Sequence, residues 1–402
     1  MFKRYITTLL LVVMASMLLG RHSMASFAKD SSKPVVSIIV RAVPNSEVES
    51  RMDINSNEVV HAFKKGRYED SAAASALTDM YIILRTNPER HFRLEASGTL
   101  WDEDRAKRFV LPGKGAEALQ KYAMLLRGKH YGKMHSWKDA QHIFPRKSIF
   151  SITDMDTGLT FQVQRRAGSA HADVQPVTKQ DTAIMKQIYD SGWSWKRKAI
   201  WVHSGNDWVA ASMNGMPHGG DGIPDNDFSG HFCVHFLDST THRSDHPDLA
   251  HQLMIHKSAG ELRSFMTSAS PRIVAESFIE GLDHQDTEII GLASEGLSKD
   301  KRDFALQEMK DLVSIQVHKE QPSQKRSIPH NETTPDALKA EVRLTVTMQK
   351  KGLQKQGRIL GFSFSRDTPQ SAWQMTDIRL NDNKKTETKT NKKGKSKKRA
   401  PR

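Results

Sequence analysis

One stretch of this 402-residue chain gathers the side chains that can do chemistry. Cys233, the lone cysteine, lies fifteen residues after His218 and sits inside Gly230-His231-Phe232-Cys233-Val234-His235. A thiol becomes a nucleophile when a base within hydrogen-bond reach takes its proton, because free cysteine has a pKa of about 8.5. His218 is a candidate base and the amides around Cys233 are candidate oxyanion donors. Gly219 and Gly230 would let a substrate come close to the backbone. The same stretch permits a metal site. His171, Asp173, His218, His231, His235 and His242 supply imidazoles and a carboxylate, and neutral imidazole is the commonest zinc ligand. A spacing of four puts His231 and His235 on one face of a helix. The alternation of Phe232, Val234 and Phe236 argues instead for a strand, on which His231, Cys233 and His235 share a face. A third reading is non-catalytic, with satisfied histidines and Cys233 packed as a small apolar residue.

The pattern His218-Gly219, then Gly230-His231-Phe232-Cys233-Val234-His235, resembles the L,D-transpeptidase catalytic domain, in which a strand ends in His-Gly and Ser-His-Gly-Cys-Val-Arg follows roughly fifteen residues later. The resemblance covers about residues 148–240. It implies a β-rich fold that cross-links peptidoglycan stem peptides through a cysteine acyl-enzyme, with Cys233 as nucleophile, His218 as base and His231 as an oxyanion or substrate-positioning group. Gly219, Gly230 and His235 would line the substrate, with Arg165 and Arg166 binding a carboxylate terminus. No cofactor is implied. Two departures stand out. Phe232 replaces a glycine and would tolerate a positive φ poorly, and His235 replaces an arginine, exchanging a fixed charge for a titratable one. The alternative readings are a zinc-dependent cell-wall peptidase and a non-catalytic wall-binding protein. For the first, Ser169-Ala170-His171-Ala172-Asp173 resembles part of the zinc D,D-peptidase motif.

The elements that must position these residues follow from local pattern. Phe150–Asp154 and Leu159–Gln164 read as a hairpin around Gly158. Thr178-Lys179-Gln180-Asp181 resembles a capping box, and Ile184, Met185, Ile188 and Tyr189 follow at helical spacing towards a helix end near Gly192. Ala199–His203 and Asp207–Met213 form a second strand pair, and Pro247 opens a helix through His256. Trp193, Trp195, Trp201 and Trp208 read as core or hairpin surface rather than a sugar platform. Before this region, Val35–Val43, Met80–Arg85 and His91–Ala96 read as strands and Gly115–Leu126 as a helix. After it, Ser270-Pro271 starts a helix with an apolar face of Ile273, Val274, Phe278, Ile279 and Leu282. A helix over 299–312 and four strands near 313–319, 338–348, 357–365 and 372–380 then weakly resemble modules similar to nuclear transport factor 2.

The expected architecture is therefore multidomain α+β. A signal peptide (1–28) is followed by a small N-terminal α+β unit (32–130), a β-rich catalytic-like domain (131–257), a C-terminal α+β module of helices then an antiparallel meander (258–382) and a basic tail (383–402). Lys3 and Arg4, an apolar run from Tyr5 to Gly20 and the small residues to Ala28 read as a secretory signal. That places the protein outside the cytoplasm, secreted or wall-associated. With 26% charged and 37% apolar residues, wholesale disorder and a polytopic membrane protein are excluded. The net charge of +14 is uneven. The tail carries +9 and the first 28 residues +3, which leaves +2 for the body. A near-neutral body argues against specific nucleic-acid binding, and a charge-dense tail points to an anionic wall polymer or acidic lipid. A monomer acting on peptidoglycan is expected.

Overall fold

The computed structural model describes residues 36–42, 46–70, 78–95, 97–205, 207–220, 222–241, 246–318 and 334–381. The expected signal, the basic tail and His242 lie outside them. The fold is multidomain α+β with antiparallel sheets.

The N-terminal unit contains β1 (Val36–Val40), β2 (Ser50–Ile54), α1 (Asn57–Lys65), β3 (Arg67–Glu69), β4 (Met80–Leu84), β5 (Arg90–Leu94), β6 (Leu100–Asp102), β7 (Lys107–Val110) and α2 (Gly113–His130). The strands form one sheet in the order β2-β1-β4-β5-β6-β7-β3. The β-branched β1 is buried along its whole length between β2 and β4. Val59 and Phe63 of α1 and Leu119, Ala123 and Leu126 of α2 join the same core.

The central unit comprises α3 (Trp137–Ile143), β8 (Ile149–Asp154), β9 (Thr160–Ala167), β10 (Ala172–Pro176), α4 (Lys179–Ile188), β11 (Arg197–Ser204), β12 (Asp207–Asn214) and β13 (Phe232–His235). Its strands close into a barrel in the order β10-β13-β12-β11-β8-β9. Alternation sends Ile152, Phe161, Val163, Val174, Val202, Val209, Ala211, Met213, Phe232 and Val234 into the barrel core, and their neighbours outwards. The β8/β9 hairpin turns at Gly158, φ +69°. Thr178 caps α4 in the expected box, its hydroxyl accepting from the Asp181 amide while Asp181 accepts from the Thr178 amide. That helix ends at Ile188, earlier than the sequence suggests, because Asp190 and Ser191 take positive φ.

The helix α5 (Leu249–Ser258) crosses the outside of β11 and β12. Asp248 is its cap, accepting from the His251 amide, so Pro247 precedes the helix rather than opening it. Nearly every α5 side chain is buried, since the barrel covers one face and the C-terminal unit the other. Trp201 Nε1 donates to the Ser258 carbonyl at 2.9 Å. Lys257, 5% exposed, donates to Asp286 at 2.5 Å and lies 3.9 Å from Asp156 of the barrel.

The C-terminal unit adds α6 (Leu262–Ser268), α7 (Pro271–His284), α8 (Thr287–Ala293), α9 (Lys299–Glu308), β14 (Leu312–Val317), β15 (Lys339–Lys350), β16 (Gln356–Ser365) and β17 (Gln374–Asn381). Its strands form an antiparallel meander in sequence order, with α7 laid across it. Ser270 caps α7 and Pro271 occupies its first turn. Among the described residues no helix is long and apolar enough to cross a membrane.

Candidate active site

The cysteine is presented by a short strand. In β13, Phe232 and Val234 enter the barrel core, which turns Cys233 and His235 outwards. Phe232 is 0% exposed and pairs with Val174 in a regular ladder. No positive φ is needed there, so a large apolar side chain is what the barrel lining requires. The left-handed position is Gly230 instead, at φ +86°.

Two glycines let the base reach the thiol. His218 and His231 form an antiparallel bridge, each amide donating to the other's carbonyl, at 2.9 and 2.8 Å. A Cβ on Gly219 would stand 2.3 Å from the His231 ring, and one on Gly230 would stand 2.3 Å from the His218 carbonyl oxygen. Only glycine permits this crossing. It brings His218 Nε2 to 3.2 Å from Cys233 Sγ. The other ring nitrogen, Nδ1, lies 2.8 Å from the Met216 carbonyl. A carbonyl can only accept, so Nδ1 carries the proton and the thiol donates to the Nε2 lone pair.

The outward residues of adjacent strands form a row across the barrel. Arg197 of β11 pairs with Asn214 of β12, the inward pair Met213–Val234 sets Asn214 beside Cys233, and Cys233 pairs with Asp173 of β10. Burial and then the Asp173 charge push the Cys233 thiol up to about 12, against a hydrogen bond from Asn214 and the positive charge of Arg197. The resting group is therefore a thiol, held in contact with His218 Nε2.

Asp173 also meets two histidines. Its Oδ1 lies 3.1 Å from His171 Nε2 and 3.7 Å from His231 Nε2. His171 Nδ1 donates to the Thr240 carbonyl at 2.8 Å, which turns its Nε2 towards the Asp173 carboxylate. His231 is partly exposed and sets its ring edgewise to His218, with centroids 4.5 Å apart.

His235 stacks between His171 at 4.4 Å and His251 of α5 at 3.7 Å. Its Nδ1 bonds Ser239 Oγ at 2.9 Å, and His251 Nδ1 bonds Ser212 Oγ at 2.9 Å. Burial, then the neighbouring His251 and His171 rings, push His235 well below the usual histidine range. Burial and Arg197 do the same to His251. His235 and His251 are therefore uncharged, and both are buried. The fixed charge near the thiol is Arg197, held by Asp248 at 3.1 Å.

Cys233, His218, His231, Gly219 and Gly230 thus come together, and Arg165 and Arg166 do not join them. Arg165 is 4% exposed and donates to the carbonyls of Gln141, Phe144, Ala167 and Gly168, with its guanidinium 4.7 Å from the Trp137 ring. It staples α3 to the barrel, buried and with four of its five N–H donors spent on carbonyls. Arg166 is exposed and bonds Gln164. The expected metal-binding residues among the described ones divide as well. The donor atoms of His171, Cys233 and His235 lie within 4.8 Å of one another, all buried, while His218 and His231 stay on the thiol's open side.

Asn214 and Arg197 escaped sequence reasoning because only cross-strand register brings them to the cysteine, and Asp248 and His251 because only the docking of α5 on the barrel brings them near. Trp195, 52% exposed with its ring 5.2 Å from His218, borders the open side of the site and was also missed in this role. The chain matches no protein-family model, no curated protein and no solved structure.

Proposed function

We propose that the protein is a cysteine acyltransferase or hydrolase of the L,D-transpeptidase kind, acting outside the cytoplasm on peptidoglycan stem peptides. The observation that carries this reading is the pair of contacts on His218, Nε2 to the thiol and Nδ1 to a carbonyl. A nucleophile, a base and a group that orients the base are the parts needed for acyl transfer. As Sγ attacks a peptide carbonyl, its proton passes to His218 Nε2 and a carbon–sulfur bond forms. The carbon–nitrogen bond then breaks as His218 returns the proton to the departing amine. An amine or water next attacks the thioester, giving up a proton to His218 Nε2, and the carbon–sulfur bond breaks as that proton re-forms the thiol, giving a cross-link or a trimmed peptide. His231 is assigned to the acyl oxygen and Asp173 to orienting His231. Residues 383–402 would hold the protein, as a monomer, to an anionic wall polymer or acidic lipid.

A carbapenem tests this reading, since it opens on a nucleophilic thiol and leaves a covalent mass. The wild type should gain one adduct, and Cys233→Ala and His218→Ala should gain none. An adduct of equal yield on Cys233→Ala would sink the proposal.

The cluster of His171, Cys233 and His235 supports a second reading, a zinc site. Tetrahedral zinc with bonds of about 2.0–2.3 Å needs ligand atoms about 3.5 Å apart, so the three would have to close by about 1 Å. Both imidazoles place Nδ1 against oxygen; a metal would take His235 Nε2 and would have to displace Asp173 from His171 Nε2. Zinc would take the thiolate from His218, so the two readings exclude each other in one molecule. Close to one zinc per chain in purified wild type, lost in His235→Ala, would favour the metal. Metal-free protein that is still acylated would remove it.

A further inference from the structure

Away from the cysteine, a cleft of about 640 Å³ opens where β2 and the end of α2 meet the outer face of β8, β9, β11 and β12. Ligand pockets of about 300–1,000 Å³ commonly lie at such junctions. One wall is Trp208, 44% exposed and held edgewise by His203 and Trp201, with ring centroids at 3.8 and 5.5 Å. Around it runs a chain of neutral polar groups. His203 Nε2 bonds Thr153 Oγ1 at 2.8 Å, and Thr153 Oγ1 bonds Thr160 Oγ1 at 2.8 Å. Opposite them, Ser50 Oγ bonds His130 Nδ1 at 2.9 Å. Burial pushes His203 below the usual histidine range and His130 down to about 4, so both rings are uncharged near neutral pH. Glu49 and Lys129 then contribute one charge of each sign.

A wall without net charge gives no purchase to a phosphate or a free carboxylate. A fixed indole beside hydroxyls and imidazoles instead suits a pyranose, whose C–H face stacks on the ring while its hydroxyls find polar partners. We propose that this cleft binds the amino-sugar strand of the substrate, with one sugar ring stacked on Trp208 and its hydroxyls on the Thr160, Thr153 and His203 side. The inference rests on the peptidoglycan reading and deepens it. Trp208 and Asn214 share the outward face of β12, six residues apart, which is about 20 Å along the strand. The helix α5 covers the outer face between them, so a stem peptide attached to a glycan at Trp208 would have to pass around that helix to end near Cys233.

The test is titration calorimetry of the full chain with an N-acetyl chito-oligosaccharide. Wild type and Cys233→Ala should bind equally. Trp208→Ala should weaken binding by about tenfold or more, with Trp208→Phe recovering most of it and Thr160→Val losing part. Trp208 and Thr160 are exposed enough that both variants should melt with the wild type. No binding by wild type, or equal binding by Trp208→Ala, would overturn the assignment. Acylation by a carbapenem needs no glycan, so the two readings fail separately. Acylated protein that ignores the sugar refutes the cleft alone, and a sugar-binding protein that resists acylation refutes the enzyme alone.

Discussion

Alkylation of Cys233 by iodoacetamide reads directly how the thiol is held. With the group pushed up to about 12, its thiolate fraction at pH 8 is about 10⁻⁴, against about one quarter for a free cysteine. The logarithm of the alkylation rate should therefore climb with a slope of about one per pH unit from pH 7 to 10, without a plateau. Cys233 is only 4% exposed, which slows the reagent equally at every pH, so the slope is the readout and the absolute rate is not. Asp173→Asn removes a negative charge paired across the ladder from the thiol and should speed alkylation at fixed pH. Asn214→Ala removes a stabilising hydrogen bond and should slow it. His218→Ala should preserve the steep slope while abolishing carbapenem acylation, because the base acts during attack. Intact-mass kinetics across a pH series measures all four proteins. A wild-type plateau below pH 9 would show a preformed thiolate–imidazolium pair and refute the mechanism drawn from burial.

Three further outcomes are expected. Phe232→Gly, which restores the residue of the L,D-transpeptidase pattern, removes a ring packed between Phe161 and Phe228 in the barrel. It should cost about 3–5 kcal/mol for the lost ring and about 0.5–1 kcal/mol more for glycine in a strand, and so unfold the protein at low urea. An unchanged urea midpoint would show that the ring does not line the barrel. Gly219→Ala forces a Cβ into the His231 ring at φ +75° and should cost acylation far more than thermal stability, with wild-type acylation counting against the crossing. Protein ending at Asp382 should elute from isolated cell walls at lower salt than the full chain, since exposed charges are screened over about 8 Å at physiological ionic strength. Identical elution would place wall affinity in the folded units.

What the sequence could reveal depended on how local each signal was. The capping box at Thr178, the Ser270-Pro271 start of α7 and the four strands of the C-terminal meander are written in neighbouring residues, and each appears within a few positions of expectation. The alternation around Cys233 also placed His231, Cys233 and His235 on one face. Four strands of the N-terminal sheet went unread because they are short, and Arg67–Glu69 and Lys107–Val110 are charged as well and gain their burial from partners elsewhere in the chain. The row Arg197, Asn214, Cys233, Asp173 exists only through barrel closure, which no local pattern encodes. Arg165 misled for the opposite reason. An arginine meant for a substrate and one spent on four carbonyls look alike until the backbone around them is known.

The boundary expected after residue 257 falls at the end of α5, beside its most deeply committed charge. Lys257 reaches Asp286 and Glu288 of the C-terminal unit and Asp156 of the barrel hairpin. Separating the two units there would take Asp286 and Glu288 from Lys257 and strip the outer face of the helix that carries His251. The barrel and the C-terminal unit are thus predicted to melt in a single calorimetric transition. For the same reason neither should be transferable alone to another protein, and any lineage that lost the C-terminal unit would have had to replace α5 as well.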